Sequence, residues 1–312
     1  MDISVIIPTL NRDFCLKNTL HDLSQQRGFF SFEIIVVDQN SVPVRDRDAD
    51  LYTLSSKPFI RWIECVGKGV VYARNKGISV ASGEILVFVD DDVKIDDNEF
   101  LSKHLGSHAE DDNVAAICGR EINTGRPLLV DQLNYERLNP MSDILHFPRN
   151  FSKRIQAVIL STANCSIKKR ALVKVKCFDE SFSGASYGDD ADLALRLAGA
   201  GYQIVYDPSP TLLHLMAPMG GLRLSDRRNS FSDVQRVISS TVFYLKHIRK
   251  EYTEFRLFYI YRYILRKSIL LKANLRRPWR LPLVVWSLIR AFFLARETLK
   301  QGHKFSFNYE AS

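Results

Sequence analysis

The chain has 312 residues, of which 46% are hydrophobic and 25% are charged. These fractions are typical of a globular protein with one large or two modest domains, and they argue against a disordered chain. The five cysteines are widely spread and include no CxxC pair, which favours reduced thiols in a cytosol over a disulfide or metal framework. The N-terminus carries an acidic residue and an apolar run broken at Pro8, so it predicts a first strand rather than a signal peptide.

Charge is unevenly distributed along the chain. Residues 1–214 carry 24 lysines and arginines against 29 acidic residues, whereas residues 215–312 carry 19 against 6. The net charge of +8 therefore comes from the last third of the chain. Such asymmetry predicts an anionic partner for that region, with membrane lipid and nucleic acid as the two candidates.

The first half of the chain alternates apolar runs with helical patterns. Apolar runs predict five strands, at residues 3–9, 32–38, 59–65, 84–90 and 114–122. Leucines at helical spacing after the first run, and the segments 69–82 and 98–109, predict helices between these strands. Strands that alternate with helices predict an α/β fold whose mainly parallel sheet is flanked by helices.

The second half has a different texture. Residues 123–155 show little periodicity, and a loop that long in a compact domain predicts a lid or a binding loop. From about residue 230, apolar and aromatic residues at helical spacing alternate with arginines. The longest uncharged run there, residues 281–289, is far shorter than the roughly 18–20 residues of a transmembrane helix. These basic helices are predicted either to lie in a membrane interface or to pack on the rest of the protein.

Three polar clusters follow predicted strands, namely PTLNR at 8–12, DQNS at 38–41 and DDD at 90–92. Ligands of open parallel sheets bind outside the carboxyl ends of the strands, so three such ends predict a site. Carboxylates two residues apart, as in the DDD cluster, suit Mg²⁺ or Mn²⁺ with positions left for phosphate oxygens. Each cluster also has a simpler interpretation, as a helix cap, a turn cap or a solvated acidic turn.

Five motifs occur in order: SVIIPTLNR, VVDQNS, ARNKG…ASGEILVFVDDDV, STANCSIKKRALVKVKCFDESF and GDDADLALRLAGAGY. Together they resemble family 2 glycosyltransferases over roughly residues 3–215. The resemblance implies a GT-A fold, that is, a Rossmann-like nucleotide-binding α/β domain. It divides the chain into a catalytic domain at 1–220 and a basic amphipathic helical extension at 221–312, which binds either a membrane interface or a partner.

The resemblance also implies roles for individual residues on the donor side of the site. Asp38 matches the carboxylate that binds the nucleotide base, and His214 matches a metal contact of some members, although a lone histidine after a strand also suits a structural hydrogen bond. The implied donor-binding residues are Pro8, Thr9, Asn11, Arg12, Asp38, Arg74, Asn75, Asp90 and Asp91. The implied metal ligands are Asp90, Asp92 and His214.

On the acceptor side, the resemblance implies that Asp190 is the catalytic base. It removes the proton of the acceptor hydroxyl as that oxygen attacks the anomeric carbon. Asp189 takes the place of the family's usual glutamate, and Asn164 matches an acceptor-side position whose usual glycine-rich start is absent here. The simpler interpretation of GDDADL is a helix start with acids near the positive end of the dipole.

The implied activity is inverting, metal-dependent transfer of a sugar from a UDP-, dTDP- or GDP-sugar to a hydroxyl of a glycan or lipid-linked glycan, in cell-surface polysaccharide synthesis. The implied cofactor is Mg²⁺ or Mn²⁺. We expect a cytoplasmic enzyme, peripheral on the inner face of the membrane through its basic region and without a nucleic-acid partner. A sugar-nucleotide nucleotidyltransferase and a non-catalytic nucleotide-sugar binder stay open as alternatives, although PTLNRD lacks the glycines common after strand one of the former.

Overall fold

The computed structural model describes residues 1–125, 149–182, 188–221, 238–248, 260, 265, 279 and 281–302. Most of the predicted lid at 123–155 lies outside the described residues. The strands are β1 (Ile3–Thr9), β2 (Phe32–Asp38), β3 (Ile60–Glu64), β4 (Ile85–Val89), β5 (Val93–Lys94), β6 (Val114–Asn123), β7 (Ile155–Ala157), β8 (Asn164–Lys168) and β9 (Gln203–His214). The helices are α1 (Asp13–Ser24), α2 (Val44–Arg47), α3 (Ala49–Ser55), α4 (Val70–Val80), α5 (Phe100–Ala109), α6 (Lys169–Lys174), α7 (Asp189–Gly199) and α8 (Leu281–Lys300), with a π-helical turn at Tyr244–Ile248.

The strands form one sheet in the order β3-β2-β1-β4-β8-β6-β9-β5, with β7 also paired to β9. Strands β3, β2, β1 and β4 are parallel, whereas β8 is antiparallel to both of its neighbours. The predicted α/β fold is confirmed, and the sheet is mixed because β5, β7 and β8 run opposite to the other six strands. Since β1, β2 and β4 run the same way, their carboxyl ends meet at one edge.

Alternate residues of β1 face two separate cores, because side chains of a strand point to opposite faces. Ile6 packs with Phe88 in one core, while Val5 and Ile7 pack with Leu16 in the other. All of these side chains are fully buried or nearly so. Burial on both faces explains why the strand is an uninterrupted apolar run.

The predicted C-terminal helical extension is present. Residues 238–248 are helical, and Val242, Phe243 and Ile248 are buried in the core. Helix α8 contributes Ala295 to the same core. Within the part of the chain that the structure describes, no helix combines the length and apolarity needed to cross a membrane.

A chain of buried polar groups lies between α5 and β8. His104 Nε2 donates to Asn164 Oδ1 at 3.0 Å, which leaves His104 Nδ1 to accept from Ser166 Oγ at 2.9 Å. Ser166 Oγ in turn accepts from His108 Nε2 at 2.9 Å. This assignment pairs both ring nitrogens of neutral His104, whereas Nδ1 of His108 is buried without a hydrogen-bond partner among the described residues. Burial lowers the pKa of His104 to about 4 and that of His108 to about 3.

These two histidines should make the protein sensitive to mild acid. Because their folded pKa values lie below the ordinary 6.5, the unfolded chain binds protons that the folded protein excludes as the pH falls from 6.5 toward 4. We expect the free energy of unfolding to drop by about 2 kcal/mol per histidine between pH 7 and pH 5. Urea unfolding of the native protein and of a His104→Gln/His108→Gln variant at both pH values measures how much of the drop in unfolding free energy comes from these histidines. An equal pH dependence in the two proteins would contradict it.

Candidate active site

The middle aspartate of the DDD cluster anchors the loop that follows β1. Asp91 is buried, and its carboxylate accepts hydrogen bonds from Thr9 Oγ1 at 2.8 Å and Arg12 Nη1 at 2.7 Å. Burial raises the pKa of Asp91 to about 6, although Arg12 and Thr9 act to lower it. The cluster is therefore not a solvated turn. Thr9 and Arg12, both predicted to bind the donor, are held by this carboxylate.

The outer two aspartates of the cluster meet the end of β9. His214 Nε2 lies 3.1 Å from Asp92 Oδ1 and 3.6 Å from Asp90 Oδ2, and the three side chains offer ligand atoms within 4.8 Å of one another. Two carboxylates and one imidazole suit a divalent cation. Although burial opposes the shift, Asp92 and Asp90 raise the pKa of His214, as expected for an imidazole in a negative site.

The chain after β9 closes over this cluster. Ala217 N donates to Asp92 Oδ2 at 2.7 Å and Leu215 N donates to the Asp92 carbonyl at 2.9 Å. Gly220 lies so close to the first loop that an added Cβ would fall 2.3 Å from Arg12 Cγ. Asp92 is thus fully buried, and Asp90, with 29% of its side chain exposed, forms the open side of the cluster.

Asp38 ends β2 beside Thr9 in the sheet register. Its Oδ1 accepts from the backbone N–H and the side-chain amide of Asn40, at 3.0 and 2.7 Å, so it caps a turn as the simpler interpretation expects. Its Oδ2 pairs with Arg47 Nη2 at 2.8 Å, a contact that the sequence did not predict. Asn11, with φ of 54°, donates its backbone N–H to Asn40 Oδ1. Turn 38–40 and the first loop are therefore one bonded unit.

The acidic pair at the start of α7 has two different environments. Asp189 is buried and pairs with Arg74 Nη1 at 2.7 Å, whereas Asp190 keeps 27% of its side chain exposed. Asp190 Oδ1 accepts from Thr162 Oγ1 at 2.9 Å. Burial and the neighbouring Asp190 raise the pKa of Asp189, against the opposing charge of Arg74. Of the two carboxylates, Asp190 is the one available to a ligand.

Arg74 connects the two acidic groups of the site. Its guanidinium interacts electrostatically with Asp189, Asp190 and Asp90, in that order of strength. A second arginine, Arg149, interacts with Asp190 and Asp90 as well as with buried Glu121, whose Oε2 lies 3.0 Å away. Asp90 and Asp190 thus lie close enough together for the same two arginine side chains to interact with both.

Three of the predicted site residues are buried and make their contacts inside the protein. The Asn75 amide bonds the Phe178 backbone and Glu180 Oε1, which ties α4 to the turn before α7. Pro8 is buried within β1. Asn164 is fully buried, and its amide N–H groups bond the carbonyls of Arg120 and Pro210. Direct contacts of these side chains with donor or acceptor stay predictions.

Sequence reasoning missed Arg47, Thr162 and the Glu121–Arg149 pair. Arg47 is nine residues from its partner Asp38 in the sequence. Thr162 and Asp190 are 28 residues apart, as are Glu121 and Arg149. No local motif marks such pairs. The one signal available for Thr162 is its place just before β8, in the segment STANCSI. This segment belongs to the motifs that carry the resemblance to family 2 glycosyltransferases.

The family profile for glycosyl transferase family 2 matches residues 4–176, more than half of the chain. The chain belongs to glycosyl transferase family 2. The matched region holds the whole of the DDD cluster, Asp38 and Arg74, and it ends before α7. His214 and the acidic pair of this family 2 member therefore lie beyond the profile.

Curated relatives include an uncharacterised glycosyltransferase, YfnE, of Bacillus subtilis, which is 34% identical over 123 residues, covering 38% of this chain and 30% of the relative. The GalNAc(5)-diNAcBac-PP-undecaprenol beta-1,3-glucosyltransferase of Campylobacter jejuni is 28% identical over 206 residues, covering 62% of this chain and 59% of the relative. The chain thus spans between about a third and three fifths of the length of these relatives.

Solved structures show that the fold is that of GT-A glycosyltransferases. The mannosyltransferase PcManGT of Pyrobaculum calidifontis, in complex with GDP-Man and Mn²⁺, superposes with a TM-score of 0.58 at 20% identity, covering 96% of this chain and 79% of that one. GalNAc-T7, with UDP, GalNAc and Mn²⁺, gives a TM-score of 0.59 at 13% identity, covering 83% and 53%.

The Arg74–Asp189 pair should be essential to the stability of this family 2 member. Arg74→Met leaves a buried carboxylate without its counter-charge, so we expect it to lower the free energy of unfolding by about 3–5 kcal/mol. Adding Asp189→Asn should recover much of the loss, because the uncompensated charge is gone. Urea unfolding measures both. Arg45→Met, which breaks an exposed pair with Asp46, is the control and should change little; equal losses in the single and double Arg74 variants would contradict the assignment.

Proposed function

We propose that this protein is an inverting, divalent-metal-dependent glycosyltransferase that moves a sugar from a UDP-, dTDP- or GDP-sugar to a hydroxyl of a glycan or lipid-linked glycan. The observation that carries the proposal is that Arg74 lies 3.9 Å from the part-exposed Asp190 and also interacts electrostatically with the part-exposed Asp90. Asp90 belongs to a trio that could hold a divalent cation, and Asp190 is exposed enough to contact an acceptor hydroxyl. Transfer between a diphosphate and a hydroxyl needs both.

The leaving-group half of the proposed reaction lies at Asp90, Asp92 and His214. These residues would hold Mg²⁺ or Mn²⁺, and both solved neighbours were determined with Mn²⁺. When bound, such a cation neutralises the charge that develops on a departing diphosphate. Asp90 faces the opening of the cluster, so the donor phosphates would enter on that side.

The proton-accepting half lies at Asp190. The hydrogen bond from Thr162 holds Oδ1 and thereby orients the carboxylate toward the acceptor hydroxyl. Attack from the face opposite the departing diphosphate inverts the anomeric centre. The buried Asp189, paired with Arg74, positions the start of α7 and keeps the guanidinium between the two halves.

Base recognition is assigned to Asp38, whose carboxylate can accept an N–H of uracil, thymine or guanine. Because Asn40 and Arg47 already bond this carboxylate, the base would share it with them or displace one. The bonded unit of turn 38–40 and the first loop would thus form the nucleoside side of the site.

Substitutions should affect the leaving-group half and the proton-accepting half of the proposed reaction in different ways. Asp190→Asn is expected to lower transfer by roughly 10²–10⁴-fold, because the general base is lost, with nucleotide and Mn²⁺ binding retained. Asp92→Asn is expected to lose Mn²⁺ binding as well. Release of nucleoside diphosphate from a panel of UDP-, dTDP- and GDP-sugars, with and without chelator, measures activity, and electron paramagnetic resonance of Mn²⁺ measures binding.

Asp96→Asn, in which an exposed carboxylate near the cluster is removed, is the matched control. Unchanged transfer in Asp190→Asn would sink the base assignment. Formation of a nucleotide sugar from a sugar phosphate and a nucleoside triphosphate, with no transfer to an acceptor, would instead favour a nucleotidyltransferase.

We further propose that α8 places the enzyme on the inner face of the cell membrane, where a lipid-linked acceptor is available. The Campylobacter relative is named for such an acceptor. Helix α8 buries small Ala291 and Ala295 and exposes Trp286, Ile289 and Phe293 by 58%, 52% and 59%. At 100° per residue, these large apolar side chains project from the side opposite the alanines. A helix that exposes its large apolar face and carries arginines suits an anionic membrane interface.

Membrane binding should depend on this exposed face. The native protein should sediment with vesicles of mixed phosphatidylcholine and phosphatidylglycerol, more weakly in high salt, and less with phosphatidylcholine alone. Trp286→Ser/Phe293→Ser should release it, whereas Phe29→Ser, at another exposed position, should not. Cosedimentation of the double serine variant at the native level would remove the membrane proposal.

A further inference from the structure

We propose that residues 243–247 form a clamp that positions the catalytic-base helix α7. Its members are Phe243, Lys246 and His247, which we define as the α7 clamp. They act on Asp190 through Gly188 and Asp192 rather than by touching substrate, so they are positioning residues. The proposal rests on the assignment of Asp190 as the base and goes beyond it, because the clamp lies outside both the matched family region and the DDD cluster.

The first contact of the clamp is at Gly188, the residue immediately before α7. Gly188 has φ of 99°, in the left-handed region that favours glycine. A Cβ added there would lie 3.3 Å from the Phe243 ring, so the ring covers this backbone closely. Phe243 is buried. The direction in which the chain enters α7, and hence where Asp190 points, is therefore set against this ring.

The second contact is electrostatic and lies two residues after the base. Asp192 is fully buried, and its Oδ1 forms an ion pair with Lys246 Nζ at 2.5 Å and accepts a hydrogen bond from His247 Nε2 at 2.8 Å. Its Oδ2 pairs with Arg196 one turn further along α7. Although burial alone would raise it, the bond with His247 and the charges of Arg196 and Lys246 lower the pKa of Asp192. The first turn of α7 is thus held on the side away from the site.

The third contact joins the clamp to the rest of the site. Lys246 Nζ also donates to Asp179 at 2.7 Å, in the turn whose Phe178 backbone is bonded by Asn75 of α4. Helix α4 carries Arg74, the partner of Asp189. One ammonium group therefore bridges the turn behind Arg74 to the helix that bears Asp190, so its loss should let the two carboxylate halves move apart.

The test compares catalysis with binding in clamp variants. Lys246→Met is expected to lower kcat for the nucleotide sugar that the native protein uses by roughly ten- to hundredfold, because a small displacement of a base is costly. Mn²⁺ and nucleoside diphosphate binding should stay within about twofold, since the clamp touches neither. Asp192→Asn should give a similar loss, and the double variant should lose little more than the larger single loss, as expected for coupled residues.

Controls separate positioning from general stability. Lys246→Arg should restore most of kcat, and Lys300→Met, at an exposed pair with Glu297, should leave it unchanged. His247→Gln gives a milder variant should Lys246→Met fail to fold. Hydrogen–deuterium exchange at amides 190–193 should rise in Lys246→Met relative to Lys300→Met, and this readout needs no substrate. Native kcat in both Lys246→Met and Asp192→Asn, or equal losses of kcat and of binding, would overturn the clamp. Absence of transfer by the native protein would instead overturn the proposed function.

Discussion

Buried carboxylates in the DDD cluster and on α7 are the constraint on which the rest of this structure depends. Asp91, Asp92, Asp189 and Asp192 are all removed from water. An isolated buried carboxylate is costly, and a buried charge persists only where it is paired and hydrogen-bonded. Arg12, Arg74 and Lys246 supply that pairing, and they come from β1's loop, from α4 and from the C-terminal extension. Compensation of these charges therefore joins three separate parts of the chain.

This compensation also decides which carboxylates are left for chemistry. Each acidic motif contains a carboxylate that is buried against an arginine, Asp91 or Asp189, and one that stays partly open, Asp90 or Asp190. The paired carboxylate fixes the backbone, and its neighbour can then face a ligand with little freedom to move. Adjacent aspartates that seem to repel each other thus have different tasks, one structural and one directed to the ligand.

The parts of this arrangement that the sequence predicts are those with a local signal. Five strands were predicted because apolar residues follow one another without interruption, and polar clusters at their ends converge because neighbouring strands are parallel. The reversal of β8 has no such signal, since strand direction depends on where a long connection returns. Pairs such as Asp38–Arg47 and Asp192–Lys246 were missed because they are set by packing, not by spacing. Asn164 is assigned by motif, yet it is fully buried and hydrogen-bonded to His104 of α5.

The uneven charge of the chain acquires a more specific interpretation from these contacts. The sequence predicts an anionic partner for the basic last third of the chain. Some of this positive charge pairs with acidic residues in the first two thirds of the same chain. Lys246 pairs with Asp192 and Asp179 inside the protein, and His247 hydrogen-bonds Asp192. The arginines of α8 lie instead beside exposed aromatic rings, as Arg290 does over Trp286. Internal neutralisation and surface attraction make different demands: the first requires buried, short contacts, and the second is weakened by salt. The basic region would therefore hold the base helix in place and the enzyme at its membrane by two separable sets of residues.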